Sequence, residues 1–174
     1  MPLKNVKPTP EAPDMGLFGA RFPRIFDRDA KIFAVSDPTG GLPIGEYVFL
    51  DHYCNNPFCD CRRVMFRVVE YKSYETLAYI HYGWESEEFY RKLSGSRHVA
   101  HRGRTAVLDP DREQSELAPA LLKHFQKFIR RNEAFVGQLR EHYEMFKRAV
   151  TKSSGVKGRN YGRGRAGGEQ SHTE

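Results

Sequence analysis

No run of apolar residues in this chain approaches the roughly 20 needed for a helical membrane span, so none is expected. The first fifteen residues hold prolines and lysines but no apolar stretch, which argues against a secretory signal and for a cytoplasmic setting. Signatures of common chemistry are missing too. There is no P-loop, no G-x-S-x-G, no G-x-G-x-x-G following a strand pattern and no internal repeat. Neither an RNP1 stretch nor the spacing of a C2H2 finger is present. Apolar residues make up only 39% of the chain, low for a fully packed one, so the globular part is expected in the middle and not at the ends.

Cysteine is scarce, and its placement is the most informative feature of the sequence. All three cysteines of the 174 residues, Cys54, Cys59 and Cys61, fall within eight positions between two strand-like runs. In a reducing compartment, clustered thiols point to metal ligation before a disulfide framework. We therefore read this stretch as a hairpin whose tip folds around a metal, with zinc the expected ion because it takes sulfur ligands tetrahedrally. A hairpin centred near Pro57 puts Cys54 opposite Cys61. For the fourth ligand His52 ranks first, because it shares a strand face with Cys54; His81, His98, His101 and His142 are the alternatives. Asp60, Arg62 and Arg63 flank the thiols, where arginine lowers thiol pKa values; the competing reading of these charges is a solvated hairpin edge.

Around this stretch the chain reads as α+β. Lys31 to Val35 is a short strand closed by the turn cluster Ser36-Asp37-Pro38-Thr39-Gly40-Gly41. Residues 46–53, 62–71 and 75–82 are rich in β-branched and aromatic residues and are joined by short links, which predicts an antiparallel meander of three to four strands. Apolar side chains on both faces (Val64, Phe66 and Val68 on one, Met65 and Val69 on the other) require cover on both sides. The apolar but Gly- and Pro-broken segment from Leu17 to Phe26 is expected to drape over the core without regular structure. Ser86 is placed to cap a short helix reaching about Leu93. Apolar residues at helical spacing from Leu121 to Ile129, and again from Phe135 to Val150 after a break near Asn132, predict a helical hairpin packed on the sheet. Three parts follow: a flexible Pro-rich arm over 1–15, one domain over 16–150, and a disordered, basic Gly/Arg-rich tail over 151–174.

The net charge of +6 is unevenly spread. Residues 91–104 carry five Lys/Arg without an acid and residues 147–165 carry seven, so the rest of the chain is net negative by six. Local basic clusters are a better nucleic-acid signal than a high pI. The candidate contacts are Arg97, Arg102 and Arg104 in the first segment and Arg159, Tyr161, Arg163 and Arg165 in the second, with RNA expected before DNA. Two other classes compete with this zinc-containing, non-enzymatic nucleic-acid module. One is a metal-dependent hydrolase or nuclease using Glu87, Glu88 or Asp109, whose placement at helix starts and turns is equally explained by capping; the other is a protein–protein adaptor.

The motif Cys54, Cys59-Asp60-Cys61-Arg62-Arg63 followed by an apolar strand resembles a bacterial protein family with a C-x4-C-D-C-R-R-type motif, often associated with the SEC-C zinc-binding motif. The likeness continues through Tyr82-Gly83-Trp84-Glu85-Ser86, Glu88-Phe89-Tyr90-Arg91-Lys92, Leu108-Asp109-Pro110 and Arg140 to Lys147, spanning roughly residues 45–148. It implies a small metal-linked α+β domain and no particular activity. Gly158-Arg159-Asn160 is similar to the start of a SEC-C segment, but no cysteine follows it, so no second zinc site is expected.

Overall fold

Three long strands carry the architecture, and in the computed structural model they run where β-branched and aromatic residues concentrate: β3 (Gly45–Cys54), β4 (Arg63–Glu70) and β5 (Thr76–Gly83). The structure describes residues 14–38, 40–93 and 103–155. The three strands pair consecutively and antiparallel, with Phe49 opposite Val68 and Phe66 opposite Ile80. At the link between β4 and β5 the Glu70 carboxylate accepts hydrogen bonds from the amides of Lys72 and Ser73, at 2.9 and 2.6 Å.

The sheet is larger than the expected three to four strands. Six pair into one antiparallel sheet, because three short ones flank the meander. β6 (Ala106–Leu108) adds to β5, while β1 (Met15–Leu17) and β2 (Lys31–Val35) share the outer edge of β3. β1 and β6 have three residues each, too few to display a period of two. The Leu17 to Phe26 segment likewise departs from the expected irregular drape. It forms β1 and two short helices, α1 (Phe18–Arg21) and α2 (Pro23–Asp29). Pro23 sits in the first turn of α2, where a missing amide hydrogen costs nothing. Phe18 and Phe26 anchor this segment with at most 1% of their surface exposed.

Two longer helices cover one sheet face: α4 (Ala118–Ile129), and α5 (Glu133–Ser153). Leu121, Phe125 and Ile129 form the buried stripe of α4. The Phe125 ring stacks on Phe49 at 5.3 Å and meets Phe66 at 5.0 Å. Asn132 caps α5 by accepting from the Phe135 amide at 3.0 Å, which explains the break between the two apolar stripes. α5 runs past Val150 to Ser153. The second sheet face is buried as well, as the two-sided pattern of β4 requires, but with a polar component: His52 and Arg67 lie beside Leu50, Met65 and Val69. No helix among the described residues is long and apolar enough to cross a membrane.

Candidate metal centre

Cys54 ends β3, and Cys59 and Cys61 lie in the connection to β4. Extending the β3–β4 register from Tyr47 opposite Glu70 centres the hairpin between Phe58 and Cys59, so Cys54 faces position 63 and not Cys61. The thiols meet by another route. Asn56 makes a local turn in which its side chain accepts from the Phe58 amide at 2.9 Å and its carbonyl accepts from the Cys59 amide at 3.2 Å. Arg62 then takes a left-handed backbone conformation, φ 46°, which turns the chain back into β4. That conformation costs about 1–2 kcal/mol for a residue with a Cβ. The Arg62 guanidinium offsets it by pairing with Asp60 at 3.0 Å and Glu85 at 3.3 Å and by lying 4.8 Å from the centre of the Phe89 ring.

The result is that the sulfurs of Cys54, Cys59 and Cys61 all lie within 4.8 Å of one another. Cys54 and Cys61 are buried, Cys59 is half-buried, and all three are free thiols. Hydrogen bonds from the Cys59 and Cys61 thiols hold the Cys54 thiol well below its ordinary value, with help from the Asn56 amide and the charge of Lys147. The same sharing pushes Cys59 and Cys61 up. Thiolates are the ligating form, so a metal held here would displace the thiol protons.

Three elements hold this tip in place. From α5, Lys147 has no exposed surface and donates to the carbonyls of Cys54, at 3.5 Å, and of Asn56. One turn earlier the Tyr143 hydroxyl donates to Asp60 at 3.1 Å. On the opposite side Ser86 caps α3 (Glu87–Lys92), accepting from the Phe89 amide, and α3 carries Tyr90. The Tyr90 hydroxyl donates to the Arg62 carbonyl at 2.7 Å and accepts from the Glu85 amide at 3.2 Å. From the N-terminal side β1 pairs Met15 with Cys54, and the Asn55 amide donates to the Asp14 carbonyl.

This donor set suits a metal ion. Three sulfurs select a borderline or soft cation over a hard one that wants oxygen. A divalent ion with three thiolates is net −1, and Lys147, buried alongside, supplies the compensating charge.

The sequence-predicted residues divide unevenly around the site. Cys54, Cys59 and Cys61 converge; His52 does not join them. Its Nδ1 hydrogen-bonds the Leu50 carbonyl at 2.9 Å, and burial pushes its pKa down to about 4, so the ring is neutral. His81 bonds Asp109 at 2.8 Å. His142 sits between Asp51 at 3.0 Å and Asp29 at 3.2 Å. His98 and His101 lie outside the described residues. Glu87 and Glu88 stand in the first turn of α3, Glu88 paired with Lys92, and Asp109 is taken up by His81 and Arg112. Among the described residues these carboxylates form no group of three ligands, and the cysteines do. Of the basic candidates only Arg104 is described, and it bonds both oxygens of Glu133, at 2.8 and 2.9 Å. Arg97, Arg102, Arg159, Tyr161, Arg163 and Arg165 lie outside the described residues.

Lys147, Tyr143 and Tyr90 were not legible as site residues. Lys147 did carry a signal: it lies four residues after Tyr143 and three before Val150, a lysine within an apolar helical stripe.

No family model, curated protein or solved structure matches the chain.

Proposed function

We propose that this chain is a zinc-binding module in which Cys54, Cys59 and Cys61 hold one ion that fixes the β3–β4 hairpin against α5 and α3. The observation that carries this reading is the convergence of three sulfurs within 4.8 Å of one another beside the fully buried Lys147. Zinc fits sulfur at about 2.3 Å and has no redox demand. Reduced thiols at the centre of the site suit a cytoplasmic setting. The role is structural, because a ligand at the end of β3 and two in the connection to β4 couple binding free energy directly to folding. Metal analysis of the purified protein tests it: about one zinc per chain is expected, removable by a strong chelator with a fall in melting temperature. Cys59→Ser should abolish the difference between the metal-loaded and metal-free transitions. An unchanged transition after complete metal removal would refute the structural role.

The partner we propose for this module is RNA. Support comes from the sequence of the two basic segments and not from the folded surface, where Arg28, Arg62, Lys92, Arg104, Arg112 and Arg148 are each engaged by a carboxylate. Binding that is lost on removing the tail would support this reading. An absence of salt-dependent RNA binding by the full chain at physiological ionic strength would sink it.

A further inference from the structure

β2 is paired on one side only. Its five residues hydrogen-bond to β3, and on the other side it has no strand partner among the described residues. An unpaired edge presents backbone amides and carbonyls that accept another strand. On β2 neither proline nor a bulge blunts the edge, and Ile32 is 41% exposed.

Beneath this edge the sheet does not close onto α4. A hollow of about 240 Å³ lies between them, lined by Phe33, Val35, Leu42, Phe49, Leu121 and His124. A second, more open groove of about 330 Å³ continues from it past Phe33 and His124 to Lys127, Phe128 and Arg131. The step along α4 from Leu121 through His124 to Phe128 gives the groove a direction. Its deep part is apolar, and its far end is cationic. Lys127 and Arg131 are exposed, and His124 is half-buried at the junction. None of the three has an ion pair among the described residues, whereas Lys31 at the same end lies 4.7 Å from the centre of the Phe128 ring. Among the described residues the one carboxylate in the lining is Asp37, in the turn after β2.

We propose that this edge is a docking site for an acidic peptide of a partner protein, which adds as a further strand to β2 and sets one large apolar side chain into the hollow. Each part of the site has its counterpart in such a ligand. The edge supplies backbone hydrogen bonds, the hollow selects an apolar side chain, and Lys127 and Arg131 select carboxylates at one end. The chain's own terminal segments are poor occupants on charge. Residues 1–13 hold Lys4 and Lys7 against Glu11, and residues 156–174 hold four Lys/Arg against two Glu. A separate acidic chain is complementary where these are not. This interaction is distinct from the metal centre and from the proposed RNA contacts.

The test uses the full chain and four probes: an end-capped peptide with a central phenylalanine between threonines and a block of consecutive glutamates at each end, so that carboxylates face the groove in either strand direction, its lysine-for-glutamate counterpart, octanoate, and a single-stranded RNA oligomer. The glutamate peptide should bind, and the double variant Lys127→Glu with Arg131→Glu should weaken it at least tenfold while improving binding of the lysine peptide. Amides of residues 31–35 should become protected from hydrogen exchange on binding. Both substitutions are on exposed positions, so the fold is preserved and a null result is informative. The proposal is overturned if the glutamate peptide does not bind, if the charge reversal leaves its affinity unchanged, or if exchange in β2 is unaltered. Octanoate filling the hollow where the peptide fails would make this a small-molecule site, and an RNA oligomer occupying the patch in the peptide's place would make it a nucleic-acid surface; either overturns it.

Discussion

The ammonium of Lys147 lies 3.5 Å from the carbonyl oxygen of Cys54, across 93 residues of chain. A fully buried lysine is costly unless a compensating charge and hydrogen bonds meet it. Here the carbonyls of Cys54 and Asn56 satisfy it, and the thiolates supply the charge once the metal binds. Lys147→Met keeps the stem and removes the charge. Its expected cost is about 1–3 kcal/mol from the carbonyls it leaves unsatisfied. The cost should be greater for the zinc-loaded protein than for the zinc-free one. Urea denaturation of both forms checks this, and equal losses would show that Lys147 does not balance the metal site.

His52 shows where the strand pattern misleads. Two residues from Cys54, it shares its face by alternation, yet its Nδ1 is committed to Leu50 and the sulfurs converge beyond the end of the strand. His52→Ala should therefore leave zinc stoichiometry and affinity unchanged. It should still lower stability by about 1–3 kcal/mol, the range for a broken buried hydrogen bond. His81→Ala should also spare zinc. Competition titration with a chromogenic chelator measures both, and a loss of affinity in either variant would add that histidine to the ligand set.

The meander, both long helices, the Ser86 cap, the break near Asn132 and the cysteine cluster were legible because each rests on a local signal: a period, a cap or a spacing. The strand type at Val64 to Val69 follows from β-branched and aromatic composition, and the helix type at Leu121 to Ile129 from side-chain periodicity. What escaped has long-range causes. β1 and β6 exist because β3 and β5 offer edges, and nothing within Met15–Leu17 or Ala106–Leu108 announces that. The hairpin register was misplaced because Pro57 suggested its centre, whereas the left-handed conformation at Arg62 moves it. Along the sequence Lys147 is simply the first cation of the basic run 147–165, while its burial is decided by what α5 packs against.

Stability should depend on pH through His142. Burial pulls its pKa down, but hydrogen bonds and charge from Asp51 and then Asp29 outweigh this, and the net shift is upward from 6.5. A raised folded value means that the contribution is complete below about 6.5 and fades as pH climbs through the folded value. At the acid end the Asp29 carboxyl is held low, first by its hydrogen bond from Arg28, so its contribution is lost as pH falls below its unfolded value of 3.8 toward the folded one. Denaturation midpoints should thus fall from pH 6 toward pH 9, and His142→Gln should flatten that slope. A slope that survives the substitution would assign it to another group.

Removing residues 156–174 takes away Lys157, Arg159, Arg163 and Arg165 while leaving α5 intact. If each neutralises one phosphate of single-stranded RNA, the log–log dependence of affinity on salt should become shallower by up to roughly 2.8, at about 0.7 per contact. The melting temperature should not move. An unchanged slope would remove the tail from the interface.

The eight-residue compass of the three thiols has a kinetic consequence. Closing a loop of this size takes on the order of 10–100 ns, far faster than bringing Asp14 or Lys147 to the same place from 40 residues before and 93 after Cys54. The ion can therefore be captured while most of the chain is still open. A hairpin cross-linked so early by the proposed ion would already hold the β3–β4 turn when β1 and α5 arrive, and metal supply during synthesis would then help to set how fast this chain reaches its native state.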